Sequence, residues 1–414
     1  YETVLVVGQS DGGLTWLNRS DGSVLHSVPN AHKDGVTALA FAPDGTLASG
    51  GADGLTQLWQ SGTPPTAAVS DATPAPSTEA PPVTYIEKAH YGEGTIHQVL
   101  FAPDGNQMVL AATNSAAVYR LPNLETPVTS VPGMAAPLAI SPDGTWLVGL
   151  NQFPVETAPN SGSLVAQIVA VSLNNEPVSI ITDLEYVRFI TFAPDGSAIA
   201  VTGPDAISGY QLEIYSFPAG ERLHNFHYQS QHIGGMLYHE PDELLVALYA
   251  PVYPDVIDPQ EAPVRVIEAF SGEERLSFVM PPLAMLDVAF SPDASYLHLN
   301  AYSMGETFEG GGYALEPIDQ PLVRRISDGQ SVDLPGETAP IFAFSNDSRL
   351  YAFLSFSEQA GIRIVDIETA EVVHEIDVRL SLRDDHRHVV EFCPDRLRAR
   401  TFLHERQAQR DVHL

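Results

Sequence analysis

The chain has 414 residues and a mean hydropathy close to zero, enough apolar material for one large fold or two ordinary domains. Its formal charge of −32 excludes the basic face that a phosphate-tracking DNA or RNA binder needs, and argues equally against adsorption to an anionic lipid surface. Cys393 is the single cysteine, so an internal disulfide and a Cys-cluster zinc site are both excluded, and no apolar run approaches the roughly 20 residues of a membrane-spanning helix.

The chain starts at Tyr1 rather than Met, which points to removal of an upstream segment such as a signal peptide, or to a module taken from a larger protein or assembly. The first 30 residues supply three short strands, Val4–Val7, Leu14–Leu17 and Val24–Ser27. Between the first two lies Gly8-Gln-Ser-Asp-Gly12, which matches G-x-S-x-G. A nucleophile elbow must precede a helix, whereas a strand follows here, and the segment aligns with Gly50-Gly-Ala-Asp-Gly54; both read as turns.

From residue 36 onward one unit recurs: an alternating apolar run, then Pro-Asp-Gly or a variant, then a second apolar run. The copies are Phe41-Ala-Pro-Asp-Gly45, Phe101-Ala-Pro-Asp-Gly105, Ile140-Ser-Pro-Asp-Gly144, Phe192-Ala-Pro-Asp-Gly196, Tyr238-His-Glu-Pro-Asp242, Phe290-Ser-Pro-Asp-Ala294, Phe344-Ser-Asn-Asp-Ser348 and Phe392-Cys-Pro-Asp-Arg396. Their spacings are 60, 39, 52, 46, 52, 54 and 48 residues. Pro fixes φ, Asp caps the turn and Gly accepts positive φ, so each copy predicts a strand–turn–strand hairpin. Two further short strands follow each hairpin, as in Gln211–Phe217 and Arg222–Phe226. Four antiparallel strands per 40–50 residues predict an all-β closed β-propeller of four-stranded blades, with strands a to d running outward from the axis.

The best copy resembles the WD-repeat family: Ala31-His32, Phe41-Ala-Pro-Asp-Gly45, Leu47-Ala-Ser-Gly-Gly51, Ala52-Asp-Gly54 and Leu58-Trp59. The resemblance implies a structural hydrogen-bonded set of His32, Ser49, Asp53 and Trp59. Other copies lack the Trp and Asp, which implies blades held by apolar packing, and several look equally like the repeats of TolB-type bacterial propellers. Eight strand-a copies predict eight blades, seven being the commoner number in the family. The partial blade of residues 1–30 then closes with 389–414, so that residues 1–414 form one ring without an open edge.

Two segments stand apart in composition. Residues 61–82 are Pro-, Thr- and Ala-rich and read as a disordered insertion. Residues 379–414 hold eight Arg against six acids, while the first 378 hold 12 basic and 46 acidic residues; the end reads either as a basic interaction tail or as a frame-shifted sequence. The Pro/Thr segment and the single cysteine point to an extracytoplasmic location, whether secreted, periplasmic or surface-attached.

For function, the expectation is a non-catalytic scaffold that binds another protein or peptide, with a basic partner favoured by the acidic charge. It would use the face lengthened by the b–c loops at Asn151–Gly162, Gly203–Gly209, Pro251–Pro263 and Ser303–Gln320. Those loops carry Phe153, Tyr253, Asp255, Asp258, Glu261, Phe308, Glu309 and Tyr313 as candidate anchors. The alternative is a propeller hydrolase or lactonase with its site at the axial mouth, for which Arg188, Glu213, His239 and Arg265 are the raw material. No cofactor fingerprint is present, and His224, His227, His232 and His239 lack the common direction a metal would require.

Overall fold

In the computed structural model the described residues are 4–18, 23–61, 83–86, 95–112, 115–121, 127–151, 155–156, 164–172, 178–182, 184–204, 209–251, 262–283, 285–307, 313–317, 323–334, 338–345, 347–355, 361–377 and 389–392. Every regular element among them is a strand. Eight four-stranded antiparallel sheets form a closed propeller.

Blade 1 joins both ends of the described chain: Val389–Phe392 lies innermost, followed outward by Val4–Gly8, Leu14–Asn18 and Val24–Val28. Its closing register pairs Leu5 with Phe392 and Gly8 with Val389. Blades 2 to 4 start at Val36–Phe41, Ile96–Phe101 and Met134–Ile140. Blade 5 comprises Phe189–Phe192, Ala198–Pro204, Gly209–Ser216 and Arg222–Gln229, and blade 6 His232–Glu240, Glu243–Tyr249, Ala262–Glu268 and Glu274–Met280. Blades 7 and 8 start at Met285–Phe290 and Thr338–Phe344.

The core is a series of apolar seams between neighbouring blades, because each sheet buries both faces near the axis. Strand b is the most buried: Leu47–Gly51 is buried throughout, whereas strand d of blade 5 is mostly exposed. Val6, Trp16, Leu39 and Trp59 fill the seam between blades 1 and 2, and Tyr351, Phe353 and Val365 that between blades 7 and 8. At about 1.5–3 kcal/mol per buried large side chain, these seams outweigh any single polar contact in the ring.

The Pro-Asp-Gly turns form as the sequence predicts. The Ala42 amide donates to the Thr46 carbonyl, and the Asp44 carboxylate accepts the Thr46 amide at 2.9 Å. Gly45, Gly105, Gly144 and Gly196 take φ between 70° and 85°, and Ala294 and Ser348 occupy the same place at 59° and 56°.

Three local departures from the repeat have physical causes. In blade 6, strand a runs past Tyr238 to Glu240, which pairs with Glu243 around Pro241-Asp242, so the turn is a two-residue hairpin. In blade 4, the expected loop after Asn151 contains its own ribbon, Val155–Glu156 paired with Leu164–Val165. In blade 7, strand b extends to Thr307. Tyr313–Pro317 pairs with its far half and Val323–Arg325 with its near half, so strand c is split and only an Arg324–Ser331 bridge lies outside it.

Candidate functional site

Blade 2 carries the most complete polar set. The wholly buried His32 places Nε2 2.8 Å from Ser49 Oγ and Nδ1 3.1 Å from Asp53 Oδ1. Trp59 Nε1, which can only donate, lies 2.9 Å from Ser49 Oγ. The donor inventory therefore fixes the direction: Trp59 donates to Ser49, Ser49 to His32 Nε2, and His32 Nδ1–H to the Asp53 carboxylate. Burial holds the His32 pKa below the ordinary histidine value despite Asp53. Burial also pushes Asp53 upward, but the amides of Lys33 and Leu55 and the His32 contact outweigh it and hold the carboxyl low. Ser49 and His32 are buried, and the four side chains link the segment before strand a of blade 2 to its strands b and c. Ser10 sits in a b–c turn closed by Gln9 N to Gly13 O, the counterpart of Gly51 N to Leu55 O one blade on.

A second set gathers at the end of the axis where strands a begin. Arg188, just before strand a of blade 5, reaches the Ile233 carbonyl of blade 6 and the Leu286 carbonyl and Asp287 carboxylate of blade 7. Gly235 makes this possible. A Cβ there would lie 2.1 Å from the Val288 carbonyl, so only glycine lets strand a of blade 7 approach this closely. Around the arginine stand Tyr186, Tyr210, His232 and Tyr249, with the Tyr210 and His232 rings 4.3 Å apart and the His232 and Tyr249 rings 5.5 Å apart. Burial, then the Arg188 charge, lowers the His232 pKa to about 4, so the ring is neutral. Burial and the neighbouring Tyr210 raise the Tyr186 phenol above the ordinary tyrosine value.

Similar side-chain links run between other inner strands. Thr37 Oγ1 donates to the Ile96 carbonyl at 2.6 Å, and Gln98 both accepts from the Leu138 amide and donates to its carbonyl. Sequence reasoning missed Thr37, Gln98, Tyr186, Tyr210 and Tyr249, because nothing in a local pattern reveals which backbone groups the next blade presents. His232 and Arg188 stood in view, but their convergence did not.

The expected interface residues fare unevenly. Phe153, Tyr253, Asp255, Asp258, Glu261, Phe308 and Glu309 lie outside the described residues, as do 62–82, 378–388 and 393–414. Tyr313 is in strand c of blade 7, opposite Thr307. The loop expected at Gly203–Gly209 is shorter than that, since strand b holds Pro204 and strand c begins at Gly209. The four residues offered for hydrolysis do not meet. Arg188 is tied to Asp287; Glu213 bonds Tyr215 and Arg222; His239 faces Glu243; and Arg265 bonds Gln231. Of the four sequence-clustered histidines, His224 stacks on Phe226 at a blade rim while His232 lies near the axis. Among the described residues no three His, Cys, Asp or Glu side chains are gathered as a metal ion would require.

Residues 22–60 match the WD domain, G-beta repeat. The match spans the last strand of blade 1 and the first three strands of blade 2, and so contains His32, Ser49, Asp53 and Trp59. The structure resembles the C-terminal WD40 domain of Sif2 at 12% identity and a TM-score of 0.56, over 88% of this chain and 92% of that one. It also resembles the dihydro-heme d1 dehydrogenase NirN, in complex with DHE, at 14% identity and a TM-score of 0.54, over 95% of this chain and 76% of that one. At these identities the likeness establishes the propeller fold. No curated protein matches the sequence.

Proposed function

We propose that the chain is a non-catalytic protein-interaction scaffold that binds a protein or peptide through the face carrying the b–c and d–a turns. WD40 propellers generally serve as such scaffolds. The observation that carries the reading is an asymmetry between the two faces. The a–b turns are tight and self-capped. The opposite face is built outward by the Val155–Glu156 and Leu164–Val165 pair of blade 4 and by strand b of blade 7, which runs past its strand-a partner Met285 to Thr307. Rigid scaffolds place recognition on such projections.

The decisive experiment is affinity capture with the intact chain, with 252–261 and 308–312 shortened, and with a control altered in the c–d turn at Glu221. A stoichiometric partner retained by the control and lost from the shortened forms supports the reading; equal capture by all three overturns it. An extracytoplasmic location is part of the same proposal, and fractionation of the native host tests it.

A further inference from the structure

Resting on this interaction-face reading, we propose that Glu185 and Tyr186 form the anchor for an arginine side chain in a basic segment of the partner. The two residues are the exposed middle of a d–a turn whose flanks are sunk: Leu184 is wholly buried and Val187 nearly so, both in the seam between blades 4 and 5. The Glu185 amide donates to the Pro204 carbonyl at 3.0 Å. A Cβ at Gly203 would stand 1.9 Å from the Tyr186 carbonyl, so glycine there lets the turn sit tightly against blade 5. The pair is thus displayed on a fixed backbone, which reduces the ordering cost of binding.

Tyr186 is 53% exposed. The other exposed large apolar side chains among the described residues, such as Val24, Leu223, Val279 and Val372, lie on or beside outermost strands. Tyr186 alone of this group stands by the axis, next to the Arg188 cluster. Tyrosine is among the residue types that dominate interface energetics.

Charge selects the occupant. The Arg188 charge is already committed to Asp287, and among the described residues of the turn the carboxylate is that of Glu185. The chain as a whole carries −32, which steers cations toward it. A tyrosine ring next in sequence to an exposed carboxylate suits guanidinium better than ammonium, because guanidinium stacks flat on a ring while its edge donates to an acid.

The test is fluorescence anisotropy of the full chain with three labelled 12-residue peptides, rich in Arg, Lys or Glu, at physiological ionic strength. The proposal expects the Arg peptide to bind more tightly than the Lys peptide and the Glu peptide not to bind. Tyr186→Ala should weaken the Arg peptide about tenfold, and Glu185→Gln about threefold. Tyr186→Phe, which keeps the ring, and Val279→Ala on the rim should stay within about twofold of the parent. Equal affinity for Arg and Lys peptides, or no effect of Tyr186→Ala, means diffuse charge attraction and overturns the anchor. Failure of every peptide while loop-dependent capture of a partner persists also overturns the anchor, and leaves the interaction face standing.

Discussion

The Arg188 guanidinium and the Asp287 carboxylate, 99 residues apart in the chain, meet across the mouth of the ring and tie blade 5 to blade 7 over blade 6. Both side chains are about a fifth exposed, so the pair is only partly shielded from water. Removing one partner leaves the other charge half-buried without compensation, whereas replacing both with apolar groups does not. Arg188→Leu should therefore cost about 2 kcal/mol, less than a fully buried pair because of solvent screening. Asp287→Leu alone should cost a similar amount, and the Arg188→Leu/Asp287→Leu double variant should recover most of the loss. Denaturant midpoints of the four proteins complete the cycle; strictly additive losses would show that the pair is not coupled.

Ser49→Ala in blade 2 deletes the hydroxyl that accepts from Trp59 Nε1 and donates to His32 Nε2. Two buried polar atoms each lose a hydrogen bond, at roughly 1–3 kcal/mol together. A lower thermal midpoint with a changed Trp59 emission is expected. An unchanged midpoint would mean that water enters the seam and replaces the hydroxyl.

Gly196 has φ of 75° and a would-be Cβ meets only Pro142 at 3.6 Å, so conformation rather than space decides a substitution there. Gly196→Ala should cost about 1 kcal/mol. Ala294 already pays that strain at φ 59° in the equivalent turn of blade 7, and Ala294→Gly should leave stability nearly unchanged, since relief of strain is offset by a floppier unfolded chain. Equal effects at both sites, read from urea midpoints, would contradict this account.

His298 is fully buried between blades 7 and 8, with Nδ1 2.7 Å from the Tyr351 hydroxyl and its ring stacked 3.5 Å from Phe342. Burial lowers its pKa to about 3. The folded state thus binds fewer protons than the unfolded one between about pH 6.5 and pH 3. The stability from keeping this ring neutral is complete above pH 6.5 and is lost on acidification, by up to about 1.4 kcal/mol per pH unit. Denaturation midpoints at pH 7, 5.5 and 4.5 should fall accordingly, and the His298→Leu variant should show a shallower fall. Parallel slopes in the two proteins would assign the acid sensitivity elsewhere.

Much of this architecture was written in local patterns. Pro-Asp-Gly dictates a turn wherever it stands, because its φ preferences and the Asp cap act within five residues; Gly105 and Gly196 behave alike in different blades. The degraded copy at Tyr238 still turns, since Pro241-Asp242 suffices for a two-residue hairpin. The hydrogen-bonded set of blade 2 was legible for the same reason: His32, Ser49, Asp53 and Trp59 lie within one repeat at fixed offsets. The Arg188 cluster was not, because its members come from three blades and meet only after the ring has closed.

The sequence by itself therefore determined the repeat, the strand periods, the turns and the sheet-rich class, all consequences of backbone preference and alternation over a few residues. Only the tertiary structure decided which strand ends share a face, that Glu185 and Tyr186 stand out of a turn whose neighbours are buried, and that Arg188 is spent on Asp287. The physical reason is range. Propensity acts along the chain, whereas the partners of a charge or an aromatic ring are set by how closely adjacent blades pack, and at Gly235 that distance depends on a missing methyl group.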